Sequence, residues 1–185
     1  MAEEQATLPV APRALVLPLT LALVAGFVDA VGFLHLFGVF PANQSGNAIV
    51  LGLSVNDARP APAWASGGAI VGFMAGTGFA FWLAGRLAER HRRTVLLGIE
   101  LVLLAGLAVA VSQIDSGPSL LPPGWRAALI VVASAAMGVQ TEVIRRTAGV
   151  AVATTYQSGA IVRIGESLAT LPGTAARTDA VRLLT

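Results

Sequence analysis

Four apolar stretches, each long enough to cross a lipid bilayer as a helix, constrain this chain more than any other feature. Crossing takes about 20 helical residues, and the stretches run over roughly 14–40, 63–85, 94–112 and 125–144. The first is interrupted only by Asp29 and His35, the second carries no charge, and the third holds one, Glu100. The fourth has Arg126 at its edge and Glu142 near its end. Over the whole chain 55% of residues are hydrophobic and 12% charged, with a mean hydropathy of +0.75. A soluble domain carries about 25% charged residues, and a single water-soluble core of this size could not bury so much apolar surface. The expected fold is therefore all-α: a polytopic transmembrane helical bundle whose first partner is the lipid bilayer.

Several function classes drop out. With no cysteine there are no disulfides and no thiolate metal sites. The arginines sit at the ends of apolar stretches and not on one solvated face, so there is no nucleic-acid footprint. No paired carboxylates, metal cluster or phosphate-cradling glycine loop is evident. Ser45 and Ser158 are flanked by glycine, yet neither lies in a Gly-x-Ser-x-Gly elbow. We expect no enzyme and no cofactor.

The arginines also orient the chain. Arg86, Arg90, Arg92 and Arg93 fall in the link after the second stretch, and Arg145 and Arg146 follow the fourth; the link over 113–124 has Asp115 and no basic residue. Cytoplasmic loops accumulate arginine. The 86–93 link is thus expected inside and the N-terminus cytoplasmic, in a multi-pass protein of a bacterial inner membrane. Residues 1–13, with Glu3, Glu4, Pro9 and Pro12, read as a short flexible tail, and 172–185 as a polar one.

Two intervening segments, 41–55 and 149–171, are apolar but rich in small and polar residues, and neither reads as an ordinary loop. They belong to an internal repeat. Gly26-Phe-Val-Asp-Ala is followed by Asn43-Gln-Ser-Gly-Asn, and Gly138-Val-Gln-Thr-Glu by Tyr156-Gln-Ser-Gly. Gly26 precedes Ser45 by 19 residues and Gly138 precedes Ser158 by 20. Three spans separate the two units, an odd number, so the second is expected inverted relative to the first. That is the arrangement of transporters whose broken or re-entrant helices meet near the midplane. Backbone groups freed at such turns must face protein or a watery cavity, and a half-helix N-terminus carries partial positive charge. The alternative is a pair of kinked helices with no ligand.

The same residues carry a resemblance. Gly26-Phe-Val-Asp-Ala, Asn43-Gln-Ser-Gly-Asn, Ala136-Met-Gly-Val-Gln and Ala153-Thr-Thr-Tyr-Gln-Ser-Gly, in this order, resemble the YoaK family of bacterial membrane proteins (domain of unknown function 1275). The similarity covers about residues 18–171 and implies a polytopic inner-membrane protein, usually of about six spans, with no established substrate. Ser158 stands where threonine is usual, and Thr141-Glu142 where asparagine and a small or apolar residue are usual. The chain ends at Thr185, where relatives are expected to continue into two further spans, so the second repeat reads as truncated or as completed by helper helices.

Charges within spans suggest function by default. Asp29 shares a helical face with Ala22, Gly26, Ala30 and Phe33, and such a small-residue face is expected to point into the bundle. There it could carry a proton or serve as a structural acceptor at a half-helix N-terminus. Glu100 is expected to pair with an arginine or reach the headgroups, Glu142 with Arg145 and Arg163 with Glu166 to form local pairs, and His35 to be a packing residue. Gly68, Gly72 and Gly76 make a face for close helix approach, either as static packing or as a sliding or dimerising contact. Two functions remain open. One is a carrier for an unknown small solute, bound by Asp29, Asn43, Gln44, Ser45, Gly46, Asn47, Gln140, Thr155, Gln157, Ser158 and Gly159. The other is a non-transporting membrane scaffold or assembly subunit, with a homo-oligomer or helper helices as its partners.

Overall fold

A computed structural model describes residues 12–36, 38–112 and 123–147. Their regular structure is helical throughout: α1 (Pro12–His35), α2 (Gln44–Asn56), α3 (Pro60–Arg86), α4 (Glu89–Ser112) and α5 (Pro123–Thr147). Three helices are long and apolar enough to cross a membrane, over Pro60–Arg86, Glu89–Ser112 and Gly124–Arg145. The apolar part of α1, Leu19–His35, is shorter. It is about 26 Å long at 1.5 Å per residue, a little under a hydrocarbon layer of about 30 Å.

The core is stacked in three layers along the bundle. At the end holding Arg86, Arg90 and Arg145 lie Leu21, Ala80, Ala84, Leu96, Val139 and Val143. In the middle are Phe73, Ala136 and Met137, flanked by Ala25, Val28, Ala42, Leu103 and Leu104. At the far end are Leu36, Val39, Ala65, Ala69, Leu129 and Ile130. Residue numbers rise towards the far end in α1 and α4 and fall in α3 and α5. Neighbouring long helices in the sequence therefore alternate in direction, and α3 runs parallel to α5.

The parallel pair α3–α5 is the closest contact, and glycine makes it possible. A Cβ on Gly72 would lie 2.6 Å from the carbonyl oxygen of Val131, and one on Gly76 would collide with the Ala135 carbonyl. From the other side a Cβ on Gly138 would collide with the Phe73 carbonyl. Thr77 Oγ1 donates to the Gly138 carbonyl at 3.3 Å, fastening the crossing. The Gly68/Gly72/Gly76 face is thus used for static packing inside the chain. Close backbone approach of this kind supplies the dispersion contacts that hold membrane helices together when burial from water cannot.

Element ends differ from the sequence expectation in identifiable ways. The first span was expected to reach Phe40, but α1 ends at His35. Leu36 N–H closes the last turn on Gly32 at 2.8 Å, and Gly38 then takes a left-handed φ of 73°. Glycine adopts that conformation without penalty, and it ends helices. At the other end α1 begins at Pro12, so Pro12 and Arg13 belong to the helix and not to the tail. The arginine-rich link is almost absent as a loop: only Leu87 and Ala88 separate α3 from α4, and Glu89–Arg93 form the start of α4. Arg92 Nε donates to the Leu87 carbonyl at 3.0 Å, and the Arg86 guanidinium lies 3.9 Å over the Trp82 ring. Segment 149–171 and the 172–185 tail lie outside the described residues.

Candidate functional site

The site is built where the chain turns back into the bundle. After α1 the backbone passes through Val39, in the far layer, to Ala42, in the middle layer. From there α2 starts at Gln44. Only Asp57–Arg59 connect α2 to α3, so the two helices must be antiparallel, and α2 runs back to the far end. In segment 41–55, expected to be broken or re-entrant, the chain turns and α2 follows. The break is placed differently: Gln44-Ser45-Gly46-Asn47 is the first turn of α2, and the irregular stretch lies before it, at Gly38–Asn43. The reason is Asn43, which caps α2. Its Oδ1 accepts from the Gly46 N–H at 3.3 Å and from Ser45 Oγ at 2.6 Å. An asparagine in that place satisfies a donor that the helix leaves open.

Two fully buried amides hold the irregular stretch. Asn47 Oδ1 accepts from Phe40 N–H at 2.9 Å, and Asn47 Nδ2 donates to the Phe40 carbonyl at 2.7 Å and to Gln44 Oε1 at 2.9 Å. Gln44 Nε2 donates to the Pro41 carbonyl at 2.8 Å. Both side chains are 0% exposed. Their donors and acceptors stand in for the helix ladder that the backbone gives up there, as lipid would not. Packing completes the fit. The Phe40 ring stacks on Phe33 with centroids 5.1 Å apart, and a Cβ on Gly46 would lie 2.8 Å from the Phe40 ring. A Cβ on Gly32 would lie 2.5 Å from Pro41 Cδ. The sequence reading missed Gly32, Phe40 and Pro41. Gly32, three residues after Asp29 and so on the adjoining face, was the available signal.

Asp29 closes the arrangement. Its Oδ1 accepts from the Ala42 N–H at 2.6 Å, directly before the Asn43 cap. A carboxylate at a helix N-terminus gains about 0.3–2 kcal/mol from the helix dipole. The expected approach of Asp29 to the first turn is therefore present. The expected face is not. Ala22, Gly26, Ala30 and Phe33 are exposed, and nothing lies within 4 Å of a Cβ on Gly26. The inward face instead runs through Leu17, Leu21, Ala25, Val28 and Gly32, with half-buried Asp29 at its border. Asp29→Asn is expected to leave the fold intact, because the amide oxygen still accepts from Ala42. Asp29→Ala is expected to lower stability by about 1–3 kcal/mol through the stranded N–H. Thermal unfolding of the two variants in detergent checks the order.

The remaining candidates divide. Asn43 is exposed and Ser45 half-buried, so they are the polar side chains on the open side of the turn. Gln140 is not part of this cluster of hydrogen bonds: its Nε2 donates to Glu100 Oε1 at 2.8 Å. Among the described residues Glu100 pairs with no arginine, and it does not reach outwards; it is 4% exposed and turned towards α5. Glu142 does pair with Arg145, at 3.1 Å, but the acid is buried and the pair is not on a free helix surface. His35 ends α1 and is exposed. Thr155, Gln157, Ser158, Gly159, Arg163 and Glu166 lie outside the described residues, and so do residues 148–168 of the second unit needed to superpose 14–55 on 126–168. Among the described residues no group of three acidic or histidine side chains is placed to hold a metal ion.

Comparison with known proteins adds the following. Residues 17–184 match the family described as "Protein of unknown function (DUF1275)". The UPF0700 transmembrane protein YoaK of Bacillus subtilis (strain 168) is 28% identical over 148 residues, which are 80% of this chain and 64% of that protein. The chain thus spans less than two thirds of the length of this relative. No solved structure matches.

Proposed function

Since this chain belongs to the DUF1275 family of membrane proteins, we propose that it works in the membrane as a carrier of a small polar solute and not as an enzyme. The observation that supports this best is the re-entrant turn. It brings the N-terminus of α2 into the middle layer of the bundle, against the Asp29 carboxylate. Half-helix ends near a midplane are what transporters use to bind polar groups that lipid rejects. In this reading Asp29, Asn43, Ser45 and Gly46 line one half of the site, with Gln44 and Asn47 fixing its shape. The second Gln-Ser-Gly unit, with Thr155, Gln157, Ser158 and Gly159, lies outside the described residues and is proposed to supply the other half.

Asp29 is the coupling group in this proposal. As a carboxylate it holds the Ala42 N–H; on taking up a proton it becomes a weaker acceptor, and the grip on the start of α2 loosens. The arginine distribution supports a cytoplasmic N-terminus in a bacterial inner membrane. Arg86, Arg90, Arg92, Arg93 and Arg145 share the end where α1 begins, against Arg59 and Arg126 at the other. The scaffold reading drew on the glycine face of α3, which α5 already fills.

The test is flux in proteoliposomes. With the full chain, a trapped pH-sensitive dye and panels of organic anions, amino acids and sugars, one class is expected to move protons with it. In Asp29→Asn proton movement is expected to be lost while the protein stays folded. Absence of flux for every class, or coupling untouched by Asp29→Asn, sinks the proposal.

A further inference from the structure

We propose that Glu100 and Gln140 form a proton-binding site inside the bundle, separate from Asp29 and independent of whether a solute is carried. Glu100 lies in the middle of α4, 4% exposed, and Gln140 of α5 is 2% exposed. One hydrogen bond joins them, Gln140 Nε2 to Glu100 Oε1 at 2.8 Å. The other carboxyl oxygen, Oε2, is buried and has no hydrogen-bond partner among the described residues.

Among the described residues no cation compensates the acid. Among the described residues Glu100 makes no ion pair. On α5, Arg145 is engaged with the buried Glu142, and Arg126 lies near the opposite end of the helix. On α3 the only charge is Arg86, its last residue. On α1 the charged group in the middle layer is Asp29, itself an acid. On α4, Glu89, Arg90, His91, Arg92 and Arg93 form the first turns, and Arg93 is about 11 Å from Glu100 along the axis. A buried charge without a partner is costly in a membrane. The carboxyl removes that charge by taking a proton on Oε2 from water at the arginine end, two helical turns away, and regenerates it by giving the proton back.

The partner's chemistry fits this exchange. A glutamine amide both donates and accepts. Its NH2 donates to Oε1 whether the carboxyl is charged or carries its proton on Oε2, and its carbonyl accepts from the acid O–H when both groups turn over. An arginine or lysine in that place would hold the charged state alone. Two buried residues 40 positions apart in the chain have therefore been brought together in a pair that accommodates either protonation state.

The test is infrared difference spectroscopy on the full chain in liposomes, acid minus alkaline. A carboxylic-acid C=O band that responds to pH is expected, lost in Glu100→Gln and retained in Asp29→Asn. A difference spectrum unchanged in Glu100→Gln overturns the proposal. Where Glu100→Gln does not fold, the unmutated chain is treated with dicyclohexylcarbodiimide, which adds to protonated carboxyls buried in membranes, and the adduct is located by mass spectrometry. Label on Glu100 that is lost as pH is raised supports the site, and its absence from Glu100 at low pH overturns it. Neither readout depends on solute flux, so failure here is distinguishable from failure of the carrier proposal.

Discussion

Gly76→Leu is expected to leave almost no folded protein. A Cβ at this position already collides with the Ala135 carbonyl, and the obstacle is backbone, which cannot turn aside as a side chain can. Inserting bulk into a packed core ordinarily costs about 1–3 kcal/mol. Here α3 and α5 must also separate, so the cost is expected at or above the top of that range, a large part of a typical stability of about 5–15 kcal/mol. Gly138→Leu meets the Phe73 carbonyl from the other side and is expected to behave alike. Gly98→Leu is the control, since nothing lies within 4 Å of its Cβ. The measurement is the monodisperse fraction after extraction, with the melting temperature. Equal yields and melting for Gly76→Leu and Gly98→Leu would mean that the close α3–α5 crossing does not exist.

Asn47→Leu is expected to be nearly as damaging, for the opposite reason. The volume is similar, so packing survives, but Phe40 N–H and Gln44 Oε1 lose their partners together, and Phe40 C=O keeps only the long 3.5 Å bond from Gln44 Nε2. Each buried group left unsatisfied costs about 1–3 kcal/mol, and a total of roughly 3 kcal/mol or more is expected. Asn47→Asp does no better: it keeps the acceptor for Phe40 N–H but turns a charge towards two oxygens. Ser45→Ala, which removes only the hydroxyl bond to the Asn43 cap, is expected to cost about 1 kcal/mol or less. Hydrogen exchange at the Phe40 amide reads the effect locally. Continued protection of that amide in Asn47→Leu contradicts the role assigned to the side chain.

The spans were legible because lipid imposes a length. The second to fourth stretches fall within a few residues of α3, α4 and α5. The first was read too long because Leu36, Gly38, Val39 and Phe40 continue its apolar run, and hydropathy does not distinguish a helix from a chain folding back on one. Gly38, Pro41 and Asn43 were the punctuation that told them apart. The break between α1 and α2 was legible from its polar residues, but their work was not. Gln44 and Asn47 read as ligand groups, and in the structure their amide groups bond to the turn itself. Facing was the least legible property. In a water-soluble helix the polar side marks the outside, but on α1 and α4 both sides are apolar. Nothing in the residues around Glu100 told whether it faces α5 or the headgroups, and the same ambiguity put Ala22, Gly26 and Ala30 inside.

The glycine crossing also has a mechanical meaning. Helices that touch through side chains can slide, because rotamers readjust as the surfaces pass. At Gly72, Gly76 and Gly138 there is no such cushion, and peptide groups of α3 and α5 bear directly on one another. The two helices then form a single stiff axle. A conformational cycle in this protein would have to be carried by what hangs from that axle: α1, whose Asp29 carboxylate holds the backbone leading into α2 at Ala42, and α4, clipped to α5 by the Glu100–Gln140 pair. Both clips are made by groups that can take up or release a proton.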